Sequence, residues 1–212
     1  MSSTGTSIIG RTDDWRSRLT GVRGITLHAP WAHAVAWHGK DVENRTWMPP
    51  ESIDMVLVHC GKKWDQAGRA ALDELGLYYR AAATSSVVAV ADIAYACDTA
   101  RWQSAACGCG PWAMPGQCHW RLSNIRRLSD PIPATGRQGL WKPPLWLVDD
   151  VAEQLAAAQA NDRRYRYLRS LVAPDAFCWN RNMNTLDAAI DLLAGKITAQ
   201  THTPMIAVHK TA

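Results

Sequence analysis

Apolar positions fall into short, closely spaced runs over the first two thirds of the chain and into a helical stripe thereafter. Runs at 25–27, 55–60, 87–97 and 119–128 predict strands, and residues 42–47 read as extended. Pro30 in a first turn and Gly39 at a stop bracket a predicted helix whose end delivers Lys40. Residues 66–75 predict a second helix, closed by Gly76. The segment 99–117, rich in Cys, Gly and Pro, reads as a long loop, a length more often functional than idle. From residue 148 the period becomes helical, with Val148, Val151, Leu155, Ala158, Tyr165, Leu168 and Val172 on one stripe. A further helix is expected over 184–195 and a last strand at 205–208. Residues 1–22 show no sustained period and are expected to form a flexible arm. The pattern as a whole predicts an α+β protein: an arm to residue 22, a strand-rich domain over 23–147, and a helical extension over 148–212 packed on it.

Composition narrows the class. A chain of 212 residues with 47% apolar and 20% charged residues can bury a substantial core without staples. No apolar run matches a bilayer crossing, and the first residues lack the basic start and apolar middle of a signal peptide, so a cytoplasmic setting is expected. The six cysteines are then expected to remain thiols. A net charge of +4 permits an anionic partner without requiring one. Arg121, Arg126, Arg127, Arg137 and Lys142, offset by Asp130 alone, would form a basic surface if they shared a face. Eleven Trp against a single Phe is lopsided, and Trp serves cores and nucleobase platforms alike. Most of these rings are expected in the core.

Candidate chemistry centres on Lys40, Glu43, Arg45 and Trp47. In an extended segment the two-residue period puts Glu43, Arg45 and Trp47 on one face and Val42, Asn44 and Thr46 on the other, with Lys40 arriving from the preceding turn. Such a set can bind phosphate through Arg, orient a base edge through Glu, or do acid/base work through Lys and Glu. An arbitrary KxxExR is more often a salt-bridged surface turn. Lys62, Lys63 and Trp64 sit at a strand-to-helix junction that suits an anion, although Asp65 serves equally as a helix cap there. Cys107, Cys109, Cys118 and His119 resemble a metal-ligand list, but CxC with a distant CH is poor zinc spacing, so neither metal nor cofactor is expected. His28, His33, His38 and His59 are expected to be structural more often than functional. No nucleophile-elbow spacing supports a serine hydrolase.

Three segments carry a resemblance: Leu27-His28-Ala29-Pro30-Trp31-Ala32, Gly39-Lys40-Asp41-Val42-Glu43-Asn44-Arg45-Thr46-Trp47 and His59-Cys60-Gly61-Lys62-Lys63-Trp64-Asp65. They resemble the ASCH domain family, named for activating signal cointegrator-1 homology, within the PUA-like superfamily. The match extends to His119-Trp120 through Leu128 and to Gly139-Leu140-Trp141, about residues 23–145. The resemblance implies a small β-barrel with surrounding helices and a cleft lined by the KxxExR strand. It implies RNA, DNA or a modified nucleoside as ligand, with Trp31 and Lys62 at positions flanking the cleft. Some relatives are amidohydrolases on an acylated cytidine that use a Lys at the position of Lys40; others are ribonucleases or plain binders. Here His38 stands at the family's Gly position, Gly39 adjoins Lys40, and Glu43 replaces the Thr of the amidohydrolases.

The expectation is therefore a nucleic-acid or modified-nucleoside binding protein. Its ligand contacts would be Trp31, Arg45, Trp47, Lys62, Lys63, Trp64, Trp120, Arg137 and Trp141. Lys40→Ala should leave such a binder folded. The alternative is a hydrolase, an amidohydrolase or ribonuclease, with Lys40 and Glu43 as acid/base pair. No membrane partner is expected, and a protein partner docking through the C-terminal helices is a third possibility.

Overall fold

Both faces of one sheet are covered, and the burial pattern of its central strand shows how. The computed structural model describes residues 12–74, 76–77, 83–99 and 107–171. Its helices are α1 (Thr12–Arg18), α2 (Trp31–Trp37), α3 (Gln66–Glu74) and α4 (Leu145–Leu171). Its strands are β1 (Arg23–Ala29), β2 (Val42–Arg45), β3 (Met55–Trp64), β4 (Ser86–Asp98), β5 (Cys118–Pro133) and β6 (Leu140–Trp141). In β3, residues 55 to 60 are all buried. Met55 and Leu57 join one apolar cluster, while Val56, Val58 and Cys60 join the other, the alternation of a strand buried on both sides. The first cluster takes Trp15 of α1 and Leu147, Val151 and Leu155 of α4; the second takes Ala32 and Val35 of α2.

The strand order is β2-β5-β4-β3-β1-β6. Among the described residues only β1 and β3 pair in parallel; the other ladders are antiparallel. The protein is thus α+β with a mixed six-stranded sheet whose edges are β2 and β6. That ladder corrects the closed barrel implied by the resemblance, because no pairing joins its two edges among the described residues. The helix and strand positions otherwise follow the apolar runs closely, with two additions at the ends.

The loose arm expected through residue 22 gives way at residue 12 to α1, since Trp15 and Leu19 are 4% and 1% exposed and seal the first cluster. The last helix starts at Leu145, three residues before the expected start at 148, and its first turns belong to the core. The chain divides into two compact units, Met1–Ala158 and Gln159–Ala212. The second is described only over 159–171, the later part of α4, where Arg166 and Asp162 pair one turn apart. The helix and strand expected at 184–195 and 205–208 lie outside the described residues. Among the described residues no helix is long and apolar enough to cross a membrane.

α2 gives the fold a dependence on pH. His33 is buried and stacks on Trp37 with ring centroids 4.3 Å apart. Burial, and then the neighbouring His38, push its pKa down from 6.5 to about 4. Burial also lowers His59, although a bond to the Ala134 carbonyl opposes it. The unfolded chain takes up these protons first as pH drops, so stability present above pH 6.5 is lost progressively toward pH 4. The urea midpoint should therefore be lower at pH 5 than at pH 7. His33→Phe should flatten that difference; an unchanged slope in the variant would refute this assignment.

Candidate functional site

The end of α2 aims Lys40. Gly39 has a φ of 68°, a left-handed turn open to glycine, and the reversed backbone brings the Lys40 N–H to the Ala34 carbonyl at 3.1 Å. The side chain is then only 4% exposed. Its ammonium donates to the Val42 carbonyl and, at 3.2 Å, to Glu43 Oε2. Glu43 Oε1 in turn lies 3.0 Å from Arg45 Nε, an ion pair in which the N–H is not aligned as a hydrogen bond. Arg45 Nη2 donates to the Thr26 carbonyl at 3.1 Å, tying β2 to β1 although the two strands do not pair.

This chain of charges, Lys40 to Glu43 to Arg45, lines a cavity of about 340 Å³. Thr26, Leu27 and His28 of β1 form one side, and residues 111–114 form another. Trp31 stands over it as a fixed ring. Its Nε1 donates to Asp65 Oδ2 at 2.8 Å, and the ring packs so tightly on Gly68 that a Cβ there would lie 2.6 Å from it. Lys40 Nζ is 5.9 Å from the ring centroid. Asp65 Oδ1 also accepts from the Gly68 amide at 3.1 Å, the capping role weighed for it. The bond from Trp31 and then that from Gly68 hold the Asp65 carboxyl below its ordinary range.

Asn44, assigned by alternation to the opposite face, also lines the cavity. Its amide imitates a peptide unit: Nδ2 donates to the Trp112 carbonyl at 2.9 Å and Oδ1 accepts from the Met114 amide at 2.9 Å. It thereby fixes the wall at 111–114. Sequence reasoning missed this residue; an Asn next to the charged pair of a short strand is the signal that pointed to it.

The other candidate residues scatter. Trp47 turns off the end of β2 and packs edge-on against Trp120, ring centroids 4.7 Å apart. Trp120 is 0% exposed and donates its Nε1 to the Trp47 carbonyl at 3.0 Å, so neither ring is placed to stack on a ligand in the cavity. Lys62, Lys63 and Trp64 form the exposed end of β3, outside the cavity lining. Arg137 and Trp141 line a second cavity of about 520 Å³ with Lys142 and Trp146. Trp141 is nevertheless mostly buried, with Nε1 3.2 Å from Thr26 Oγ1. The basic surface does not assemble: Arg121 pairs with Asp41 at 2.9 Å, Arg126 with Asp92 at 3.0 Å, and Arg127 lies over Trp37.

Behind the wall at 111–114 the cysteines gather in a way their spacing did not suggest. Cys97, Cys107, Cys109 and His119 bring one ligand atom each to within 4.8 Å of the others. Cys118 is not among them; it donates toward Asp98 Oδ1 at 3.5 Å. Bonding from Cys109 lowers the Cys107 thiol from 9.0 to about 7, whereas burial raises Cys97 and lifts Cys109 to about 11. Comparison of the chain with protein-family models and with curated proteins gives no match.

Proposed function

We propose that the cavity between β1, β2 and the 111–114 wall binds a nucleobase, either of a modified nucleoside or of an unpaired position in RNA or DNA. One observation carries the reading: a rigid Trp31 face and a linked Lys40–Glu43–Arg45 set line the same cavity. A volume of about 340 Å³ is at the small end of ligand pockets, suited to one base with its sugar rather than to a length of duplex. Trp31, immobilised by Asp65 and Gly68, supplies the stacking surface. The Glu43 carboxylate accepts from a base amine, and Arg45, with further guanidinium donors, meets a carbonyl or a phosphate. The set carries one net positive charge, which favours an anionic nucleotide over a cationic ligand.

In this reading the sheet is an open variant of the PUA-like ASCH fold, with Arg45 bridging β2 to Thr26 of β1 where a closed barrel would join its strands. None of the five described cysteines forms a disulfide, which fits the cytoplasmic setting. A second reading, hydrolysis of an acylated cytidine or of RNA, is favoured by the 3.2 Å approach of Lys40 Nζ to Glu43 at the cavity. It is the weaker of the two, because the ammonium is already committed to the Val42 carbonyl and to that carboxylate.

Titration of tryptophan fluorescence with nucleosides, short RNA and short DNA at low salt tests the proposal. Trp31→Ala should weaken binding by the ~1–3 kcal/mol of one base stack. Arg45→Ala should both weaken binding and flatten its salt dependence if a phosphate is held. Absence of any affinity at low salt would end the proposal. Turnover of an acylated cytidine or an RNA that is lost in Glu43→Gln would replace it with the hydrolase.

A further inference from the structure

We propose that Cys97, Cys107, Cys109 and His119 form a structural zinc site that holds the cavity wall, a role that does not depend on which ligand the cavity takes. Three chain segments converge to build it. Cys97 of β4 is the register partner of His119 of β5, so pairing alone sets a thiol beside an imidazole. Cys107 and Cys109 approach from the segment that precedes β5, with Gly108 between them at φ 68°. That left-handed residue reverses the backbone and lets two cysteines one residue apart face a common point.

The distances suit a small tetrahedral ion. All four ligand atoms lie within 4.8 Å of one another, and Cys107 Sγ is 3.1 Å from His119 Nδ1. Zinc bonds of ~2.3 Å to sulfur and ~2.0 Å to nitrogen place ligand atoms roughly 3.5–3.8 Å apart in a tetrahedron. The side chains therefore need to close by only about 1 Å at most.

The imidazole is already set in the form a metal needs. Its Nε2 lies 2.7 Å from the Met114 carbonyl. A carbonyl only accepts, so Nε2 carries the proton and Nδ1 presents its lone pair to the three sulfurs. A histidine ligand that donates its other ring N–H to a backbone carbonyl is a standard second layer of a zinc site. Arg121 supplies a further one: its Nη1 donates to the Cys109 carbonyl at 2.7 Å while its Nη2 is held by Asp41 at 2.9 Å.

Four protein ligands leave no open position, which makes the site structural rather than catalytic. Its consequence is mechanical. His119 anchors Met114, while Asn44 holds Trp112 and Met114 from the other side, so the wall at 111–114 is suspended between the metal site and β2.

The test uses the full chain purified under reducing conditions. Elemental analysis should find about one zinc per chain. Exchange to Co(II) should give the intense visible bands of a tetrahedral ion together with thiolate charge transfer. Cys97→Ser and Cys107→Ser should lose the metal, and Cys118→Ser should keep it. Chelation of the unmodified protein should lower the melting temperature by roughly 10 °C, a readout that survives even if the ligand variants do not fold. Folded protein that takes up no zinc or Co(II), an octahedral Co(II) spectrum, or metal lost in Cys118→Ser but kept in Cys97→Ser would overturn the site.

Discussion

Lys40→Ala should unfold this protein more readily by about 3 kcal/mol, the cost of removing one partner from a buried ion pair. The reason is where the ammonium sits. Lys40 is 3% exposed and Glu43 7%, and the ammonium joins the carboxylate to the Val42 carbonyl. Without it, that carbonyl loses its donor, and the carboxylate keeps only Arg45 while remaining out of water. The expectation that Lys40→Ala leaves a binder folded is thereby revised, and loss of binding in that variant says nothing by itself about catalysis. Lys40→Met, which keeps the volume of the stem, should be almost as damaging. Adding Glu43→Gln to Lys40→Met should restore part of the loss, because neither charge is then stranded. Urea melts of the two single variants and the double variant measure this cycle. A Lys40→Met midpoint equal to that of the parent would show that the pair is not buried in solution.

Trp120→Ala should cost about 3–5 kcal/mol, the usual range for deleting a large ring from a packed interior. The indole is wholly enclosed by the second cluster, meets Trp47 edge-on at 4.7 Å, and satisfies the Trp47 carbonyl. Trp120→Phe should cost less, since most of the ring contact remains and chiefly the N–H is lost. Thermal and urea unfolding check both. If Trp120 were instead a base platform, the alanine variant would lose ligand affinity at nearly unchanged stability, the opposite pattern.

The outcome for the tryptophans shows what a one-dimensional pattern carries. Strand positions 55–60 were legible because a strand covered on both faces is an almost continuous apolar run, broken here by the buried His59. The helix α2 was legible from Pro30 and Gly39, and the position of Lys40 followed from its stop. Helix α1 was not, because two buried residues, Trp15 and Leu19, seal it while its neighbours are charged. Lys40, Glu43 and Arg45 come together because the six residues of local chain from 40 to 45 suffice to join them. Which Trp lies near them depends on tertiary packing: Trp31 is brought in by Asp65 and Gly68 of another segment, whereas Trp47 is drawn away by Trp120. The cysteine cluster hid for a related reason. Spacing along the chain nominated Cys118, but adjacent strand residues face opposite sides, and Cys97 joins His119 only across a ladder.

The order of the strands also sets when the site comes into being. β2 lies between β1 and β3 in the sequence, yet its ladder partner is β5, whose residues 118–121 arrive more than seventy positions later. During synthesis, residues 40–45 therefore leave the ribosome long before the strand that holds them exists. The Lys40–Glu43 contact is buried in the finished fold, where β2 is held by β5. A chain cut before residue 118 would keep the β1–β3–β4 pairing residues, the whole KxxExR motif and every residue that lines the cavity, but lack the β5 partner that holds β2. Ordering of the pocket thus depends on chain that is made after the residues lining it.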